Sequence, residues 1–263
     1  MNDDNKQNMF IPRQRQAFIY TQIQKNGAAR VSELAEALNV TEMTVRRDLE
    51  ILERKGMIER THGGAILNSR IGLEPRFAQK SSLFLAEKQA IGKAAALLIE
   101  EGDTIFVNSG TTTIEFLKNL KTNNVHVITN NPMAPINTLS ENVHITMTGG
   151  EIRRESFTLV GELAIKALKN VYASKAVISV DGFSIKHGLT NAVENEAWIN
   201  RLMIMRTHGM VILVADSSKL GKVAAFKLAD ITSVSVIVTD QNISATSLEE
   251  FDQIGIKVIT AEL

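Results

Sequence analysis

The spacing of hydrophobic residues along the chain changes near residue 70. Before that point, apolar residues recur every three or four positions, as on one face of an amphipathic helix. Beyond residue 80, short apolar runs alternate with helical segments, which is typical of a parallel sheet covered on both faces. The pattern predicts a domain at residues 12–68, a linker at 69–79 and an α/β domain at 80–263.

The first domain is predicted to contain three helices followed by a β-hairpin. The first helix spans residues 13–25. The second, "VSELAEAL", has Ser32 in a favourable N-cap position, and Thr41 caps the third, "EMTVRRDLEILERKG". "MIERTH" and "AIL", on either side of a glycine pair, predict two short strands. This order predicts a winged helix-turn-helix, α-helical with a small β-hairpin as its wing.

The third helix separates an apolar face from a polar one. Val45, Leu49 and Leu52 fall on the buried face, so the threonine and arginine side chains point away from it. Arginine contacts phosphates and guanine edges in the major groove, and threonine contacts phosphates and thymine methyls. A solvated surface helix is the alternative, and His62 is alternatively an exposed turn residue. The candidate DNA-binding residues are Ser32, Thr41, Met43, Thr44, Arg46, Arg47 and His62.

In the second domain, small polar residues follow each of six predicted strands. The strands are "TIFV", "VHVI", "VHITMT", "KAVISV", "MVILVA" and "VSVIV", and they are followed by "NSGTTT", "TNN", "GGEIRR", "DG", "DSSK" and "TD". Ligands of open α/β sheets bind at the carboxyl ends of the strands. The sequence therefore predicts a ligand site at that edge, although turns alone also favour these residue types.

The stretch "SGTTT" has the composition of a phosphate-binding loop. A helix that begins there presents free backbone N–H groups to an anion, and glycine permits close approach. Ser109, Gly110, Thr111 and Thr112 form the predicted loop, and Lys219, Arg153 and Arg154 are candidate positive charges. The alternative is that the hydroxyls are helix caps and that Lys219 is solvated.

Carboxylates near the same edge are candidates for binding sugar hydroxyls. Asp181 follows the fourth predicted strand, and either Glu194 or Glu196 follows later. An ordinary Asp-Gly turn is the alternative for Asp181. The donor-rich loop and these acceptors together suit a phosphate ester of a polyhydroxy compound.

Composition and charge limit the kinds of site, partner and cellular location that the chain can have. The chain has 29 basic and 29 acidic residues, but residues 13–70 hold ten Lys and Arg against seven Asp and Glu. With no cysteine, disulfides and thiolate metal sites are excluded, and we expect a cytoplasmic protein. No signal peptide or membrane span is predicted, and the five histidines show no metal-ligand spacing. We expect no metal, no cofactor and no membrane partner.

An ordered series of segments resembles the DeoR family of bacterial transcriptional regulators. The segments are "VSELAEALNVTEMTVRRDLEILERKGMIERTHGGA", "EKQAIGKAAALLIEEGDTIFVNSGTTT", "VITNN", "TGGEIRRES", "DGFSIKHGLT" and "VILVADSSKLG". The resemblance extends from Arg13 to Asp240. It implies a homodimeric or homotetrameric repressor that binds operator DNA, and a ribose-5-phosphate isomerase-like second domain that senses a phosphorylated sugar.

The family resemblance also implies an effector-binding set. Ser109, Gly110, Thr111 and Thr112 would surround the phosphate, and Asn130, Gly149, Asp181, Glu194 and Lys219 would surround the carbon skeleton. Many family members have aspartate before the loop, where this chain has Asn108, so we expect Asn108 to influence effector choice. Together with Arg153, these residues complete the predicted effector site.

Two other functions compete with the sensor hypothesis. A sugar-phosphate isomerase needs a carboxylate base and an acid partner. The isomerase resemblance would require "DGAD", but this chain has "DGFS", with Ser184 in place of the second carboxylate. We therefore predict binding without catalysis, and no catalytic residue. The other alternative is a DNA-binding architectural protein whose second domain binds no metabolite.

Overall fold

The computed structural model describes residues 11–54, 57–67 and 77–263 of the chain. The chain divides into two compact units, with the boundary between residues 75 and 76. Residues 69–76 of the predicted linker lie outside the described residues. The remaining linker residues, 77–79, form the start of a helix.

The first unit contains three helices and a three-stranded antiparallel sheet. Its elements are α1 (Pro12–Asn26), β1 (Ala28–Arg30), α2 (Val31–Leu38), α3 (Glu42–Arg54), β2 (Ile58–Thr61) and β3 (Gly64–Leu67). The strand order is β1-β3-β2. The predicted winged helix-turn-helix is confirmed, and β1 is a strand that the sequence pattern did not indicate.

The helices of the first unit pack through their apolar faces, and one buried polar group joins two of them. Val45, Leu49 and Leu52 of α3 are buried, as predicted. Asp48, on the same side of α3, accepts hydrogen bonds from Arg15 and Gln16 of α1. A buried carboxylate is tolerated only with such partners, so this contact specifies how α1 and α3 pair.

The second unit is built on a seven-stranded sheet. Its elements are α4 (Phe77–Ser82), α5 (Leu85–Ala96), β4 (Thr104–Val107), α6 (Thr111–Asn119), β5 (Val125–Thr129), α7 (Ala134–Asn137), β6 (Val143–Met147), β7 (Glu151–Arg153), β8 (Thr158–Val160), α8 (Glu162–Lys169), β9 (Ala173–Ile178), β10 (Gly182–Ser184), β11 (Gly188–Asn191), α9 (Glu194–Met205), β12 (Thr207–Val214), β13 (Phe226–Ala229), β14 (Val236–Asp240), α10 (Ala245–Gln253) and β15 (Lys257–Ala261). Short 3-10 turns lie at Ser217–Lys219 and Ile231–Ser233.

All seven strands of the main sheet run parallel, in the order β15-β14-β12-β9-β4-β5-β6. Their side chains alternate between two apolar layers. Ile105 and Val107 of β4 belong to the layer that contains residues of α5 and α6. Phe106 belongs to the opposite layer, with residues of α8, α9 and α10. Burial on both faces explains why the strands are almost continuously apolar.

The predicted α/β class with a mostly parallel sheet is confirmed, with three differences in its elements. The six predicted strands are present, but α4, α10, β7, β8, β10, β11, β13 and β15 were not predicted. The helix expected from Pro132 is only the four-residue α7. The helix expected from Ile114 begins earlier, at Thr111, so two threonines of the loop lie in its first turn.

The strand order brings three of the predicted polar clusters together. Because the strands are parallel, the carboxyl ends of β4, β9 and β12 lie at one edge of the sheet, and these strands are adjacent. Asn108 follows β4, Asp181 follows β9 and Asp216 follows β12. The fold therefore places the "NSGTTT", "DG" and "DSSK" clusters next to one another.

Candidate functional site

The exposed face of α3 carries most of the predicted DNA-binding residues. Met43 is 61% exposed and Arg47 is exposed, whereas Thr44 and Arg46 are half-buried. Arg46 forms a surface ion pair with Glu42 at 3.2 Å, one helical turn earlier. This face presents the short polar and guanidinium side chains that read base edges and phosphates.

The two predicted helix caps have different outcomes. Thr41 accepts a hydrogen bond from the backbone N–H of Thr44 at 3.3 Å, so its predicted capping role is confirmed. Ser32 was predicted as the N-cap of α2, and this is wrong. The N-cap is Arg30, whose N–H donates to Glu33 at 3.3 Å, and Ser32 is an exposed residue within the helix.

The predicted wing forms a tight hairpin with His62 exposed at its turn. His62 and Gly63 connect β2 to β3. Gly64, which was placed at the tip, instead pairs with Thr61 in the sheet. A Cβ on Gly64 would lie 2.1 Å from the carbonyl oxygen of Ala29, so close packing of β1 and β3 requires glycine there.

The predicted phosphate loop connects β4 to the amino end of α6. Gly110 is the N-cap residue, and Thr111 is the first residue of the helix. A Cβ on Gly110 would lie 2.0 Å from the Oγ of Ser179, so the loop lies directly against the end of β9. Because the first N–H groups of a helix lack intrahelical partners, this end of α6 attracts anions.

The side chains next to the loop hold its backbone in place. Asn108 is buried, and its amide donates to the carbonyl of Ser179 at 2.8 Å and accepts from the N–H of the same residue at 2.9 Å. The Oδ1 of Asn130 accepts from the N–H of Ser109 at 2.9 Å. Thr113 Oγ1 donates to the carbonyl of Asn108 at 2.7 Å. The polar atoms of Asn108 and Asn130 therefore position the loop.

A group of lysines and aspartates lies at the same edge of the sheet. Lys80 of α4 pairs with Oδ1 of Asp181 at 2.8 Å. The other oxygen of Asp181 accepts from the N–H of Ala192 at 2.9 Å and from Asn191 at 3.3 Å. Burial alone would raise the pKa of Asp181, but the charges of Lys80 and Lys219 and these hydrogen bonds lower it well below its usual range.

Lys88 of α5 is the most buried lysine of this group, at 3% exposure. Burial and the charge of Lys219, partly offset by the opposite charge of Asp216, together lower the pKa of Lys88 to about 8. Burial likewise lowers the pKa of Lys222 to about 8, against the opposing charges of Asp216 and Asp181. The pKa of Lys219 is also lowered, first by burial.

Asp216 is the buried negative charge among these lysines. Burial would raise its pKa, but Lys219 and Lys88 lower it. Among the described residues, no hydrogen-bond donor reaches its buried Oδ2 atom. Charges that have lost part of their hydration contribute little to stability. Groups with shifted pKa values are typical of binding sites.

Other predicted effector residues lie elsewhere or have protein partners. Glu196 is buried and accepts hydrogen bonds from Ser156 at 2.5 Å and from Arg153 at 3.3 Å. Glu194, the other candidate for this place, is exposed, and so is Gly149. The guanidinium of Arg153 is thus engaged with a carboxylate of its own chain. Thr111 is half-buried and Thr112 is buried in the first turn of α6.

Sequence reasoning missed Lys80, Lys88, Lys222 and Asp216. Three of them had local signals: Asp216 begins the "DSSK" cluster, Lys222 lies just beyond it, and Lys88 stands on the buried side of a helical pattern. Lys80 had none, because it was assigned to the linker. The second carboxylate expected of an isomerase is replaced by Ser184, whose Oγ accepts from the N–H of His187 at 3.1 Å.

The described residues lack two further features. They contain no group of three or more His, Asp or Glu side chains arranged to hold a metal ion. Nor does the described part of the chain include a helix with the length and hydrophobicity needed to cross a bilayer.

Comparisons with known proteins give two family matches and several relatives of nearly full length. Residues 15–71 match the DeoR-like helix-turn-helix domain, and residues 84–241 match the DeoR C terminal sensor domain. A putative aga operon transcriptional repressor of Escherichia coli O157:H7 is 32% identical, with 94% of this chain and 93% of that protein covered. A lactose phosphotransferase system repressor of Staphylococcus epidermidis is 34% identical, with 84% and 88% covered.

Similarity to solved structures is weaker. Ribose 5-phosphate isomerase A from Methanocaldococcus jannaschii aligns with a TM-score of 0.38 and 15% identity, over 52% of this chain and 55% of that one. A probable sor operon regulator from Shigella flexneri also gives a TM-score of 0.38, at 11% identity, over 60% and 85%. These values are too low to carry an argument. The two family matches and the full-length relatives show that the chain belongs to the DeoR family of helix-turn-helix transcriptional regulators.

Proposed function

We propose that this protein is a repressor of genes for sugar use, which binds operator DNA through α3 and the wing and is released by a phosphorylated sugar. The observation that carries the proposal is a lysine group, buried Lys88 with half-buried Lys219 and Lys222, at the strand ends where the amino end of α6 also lies. Helix N–H groups and ammonium groups are the two donors that proteins commonly use for phosphate.

The DNA-binding half of the proposal rests on the exposed face of α3. Arg46 and Arg47 would contact phosphates and base edges, and His62 would extend the contact from the wing. Ser32, Thr41, Met43 and Thr44 remain proposed contributors. Because helix-turn-helix proteins read paired half-sites, we propose that the active form is a homodimer or homotetramer acting in the cytoplasm. The two relatives described above are named as repressors, one of an aga operon and one of a lactose phosphotransferase system.

The effector half of the proposal divides the residues that the sequence suggested into three roles. The phosphate would bind the N–H groups of Gly110, Thr111 and Thr112 and the ammonium of Lys219, with Lys88 added. Asn108, Ser109 and Asn130 would position the loop through the bonds described above. Asp181, Glu194, Gly149 and Arg153 remain proposed neighbours of the carbon skeleton, although Asp181 and Arg153 already have partners.

We propose binding without turnover. Isomerisation requires a carboxylate base and an acid at the reacting carbon, and Ser184 occupies the place where the isomerase pattern has its second aspartate. An assay of the purified protein with pentose and hexose phosphates should therefore give no product. Turnover at an enzyme-like rate would replace the sensor hypothesis with the isomerase alternative.

The proposal is tested by measuring operator affinity and thermal stability with the same set of compounds. The DNA is the segment upstream of the protein's own operon, and the compounds are pentose and hexose monophosphates, the unphosphorylated sugars and inorganic phosphate. We expect one sugar phosphate to raise the unfolding midpoint and to weaken DNA binding, while its parent sugar does neither. DNA binding that no compound changes would instead support the architectural alternative.

A further inference from the structure

Helix α4 is the first described element after the DNA-binding unit, and three contacts attach it to the rest of the second unit, two of them at the proposed effector site. The ammonium of Lys80 pairs with Asp181 at 2.8 Å. The carbonyl of Lys80 accepts a hydrogen bond from the ammonium of Lys88 at 2.5 Å. The N–H of Phe77 donates to the carbonyl of Glu155 at 2.8 Å. Two of these three contacts use lysines that lie at the same edge of the sheet.

A fourth contact connects α4 to the phosphate loop through one intermediate residue. The rings of Phe77 and Phe157 lie 5.3 Å apart. The carbonyl of Phe157 accepts from the Oγ of Ser109 at 2.9 Å, so the same residue contacts both the loop and α4. Phe157 has a φ of 51°, a left-handed conformation that side chains other than glycine rarely adopt. Strain of this kind is found at sites that switch between conformations.

A bound phosphate would compete for the lysines that hold α4. The ammonium of Lys80 pairs with the carboxylate of Asp181, and that of Lys88 is bonded to a neutral carbonyl. A phosphate dianion carries more charge than either partner and offers three acceptor oxygens. α4 packs against α6, whose amino end is the proposed phosphate site, and Ser109 before that end is bonded to Phe157, which packs on Phe77 of α4.

We propose that α4 is the element through which effector binding reaches the DNA-binding unit, with the Lys80–Asp181 pair as its latch. Phosphate at the amino end of α6 draws Lys80 and Lys88 out of their present contacts, and α4 then separates from the site. The covalent chain that precedes α4 leads directly to the winged helix-turn-helix unit. This inference rests on the proposed function, because it requires an anion at α6.

Hydrogen exchange of the full-length protein with inorganic phosphate as the probe tests the inference. The reporters are peptides that cover residues 76–83 and 108–119. We expect phosphate to slow exchange at the start of α6 and to speed exchange in α4 about fivefold or more. If α6 is protected and α4 is unchanged, the latch is refuted while the anion site stands. If inorganic phosphate and the sugar monophosphates protect neither peptide and leave operator affinity unchanged, the proposed function itself fails.

Two variants remove the Lys80–Asp181 ion pair, one by changing each partner. Asp181→Asn and Lys80→Gln should both give fast exchange in α4 without phosphate, and phosphate should add less than about a twofold change. Lys80→Gln could bind phosphate weakly. Asp181→Asn keeps Lys80, so this variant still shows whether phosphate protects α6. Lys166→Gln removes a lysine from the exposed pair with Glu162 and serves as the matched control, which should behave like the wild type.

Operator binding provides the second readout. In the wild type, the sugar phosphate that raises the unfolding midpoint most should weaken operator binding about fivefold or more. In Asp181→Asn the same sugar phosphate should change operator affinity by less than about twofold, because the Lys80–Asp181 pair is already broken. The inference would be overturned if the sugar phosphate weakened operator binding as much in Asp181→Asn as in the wild type, and if hydrogen exchange in α4 were the same in both proteins.

Discussion

The side-chain amide of Asn108 forms hydrogen bonds to both the N–H and the C=O of Ser179, at 2.9 and 2.8 Å. This one side chain therefore joins the ends of β4 and β9. The resemblance to the DeoR family, many members of which have aspartate at this position, predicts that Asn108 influences effector choice, and that stays a prediction. Its burial and its two bonds give it a role in positioning the loop as well.

Asn108→Asp should destabilise the protein by about 1–3 kcal/mol, because an ionised carboxylate cannot donate to the carbonyl of Ser179. A protonated carboxyl can donate, and burial raises its pKa above the unfolded value. The variant should therefore lose stability as the pH rises from 5 to 8, measured by denaturant unfolding against the wild type. Asn108→Ala is the control, with a cost that does not change over this range. Equal costs for both variants at every pH would contradict the role in positioning the loop.

Gly110→Ala should displace the loop and reduce phosphate affinity by at least about tenfold, since its Cβ would lie 2.0 Å from the Oγ of Ser179. The φ of Gly110 is 178°, an extended conformation that alanine adopts readily, so the effect comes from the contact alone. Adding Ser179→Ala leaves the nearest atom of residue 179 at 3.2 Å and should restore most of the affinity. Calorimetric titration with phosphate gives the affinity of both variants. If the double variant binds phosphate as weakly as Gly110→Ala, this explanation is contradicted.

Binding of a phosphate monoester should be strongest between about pH 6 and 8. Below this range the ester loses its second charge, since its second pKa is about 6. Above it, Lys88 and Lys222 lose their protons, because the pKa of each is about 8 in the folded protein. Affinity measured across pH 5.5–9.5 should therefore fall on both sides.

Lys88→Met tests how much Lys88 alone contributes to phosphate binding and its pH dependence. It should bind phosphate weakly at every pH, and at pH 7 it should be more stable than the wild type, by about 1–2 kcal/mol. The reason is that it removes a buried charge whose pKa is already lowered, at the loss of one hydrogen bond to Lys80. Lower stability together with unchanged phosphate affinity would show that Lys88 is a structural residue only.

Arg47→Ala should weaken operator binding and reduce the slope of log K against log salt by about 1, if its guanidinium contacts a phosphate. Arg54, an exposed arginine in the last turn of the same helix, provides the matched control. Arg54→Ala should change neither quantity appreciably. Fluorescence anisotropy at several salt concentrations gives both values, and equal losses for the two variants would mean a nonspecific charge effect.

Thr41→Ala should lower the free energy of unfolding of the first unit by about 1 kcal/mol, because the N–H of Thr44 loses its acceptor. Ser32→Ala should change it by less than about 0.5 kcal/mol, because Ser32 is an exposed residue inside α2. The two substitutions remove the same hydroxyl group at the starts of neighbouring helices. Similar costs would mean that Ser32 stabilises α2 in a way that its position does not explain.

Local periodicity predicted much of the fold. The buried side of α3 follows from the spacing of Val45, Leu49 and Leu52, and the six apolar runs of the second domain all form strands. Features that depend on pairing were missed. β1 is three residues long and exists through its contact with β3, and nothing in "AAR" indicates a strand. Likewise, the N-cap of α2 is Arg30 because β1 leads directly into the helix.

The candidate site was predicted in outline and not in detail. The loop and Lys219 come from short contiguous motifs, which a sequence displays directly. Lys80 and Lys88 come from α4 and α5, and only the tertiary structure brings them to the ends of distant strands. For Asn108, Asn130 and Arg153, residue type indicated hydrogen bonding correctly, but it did not distinguish a ligand from a neighbouring backbone or side-chain partner.

The close approach of Gly110 to Ser179 has an evolutionary consequence. The proposed phosphate site is made from main-chain N–H groups at the start of a helix, and only the few side chains that hold the loop need to be kept for it to persist. In the proposed function, recognition of the rest of a sugar depends on side chains carried by neighbouring strands and helices, which mutation can exchange one at a time. We therefore expect relatives that differ at those side chains to recognise different sugars with the same phosphate site.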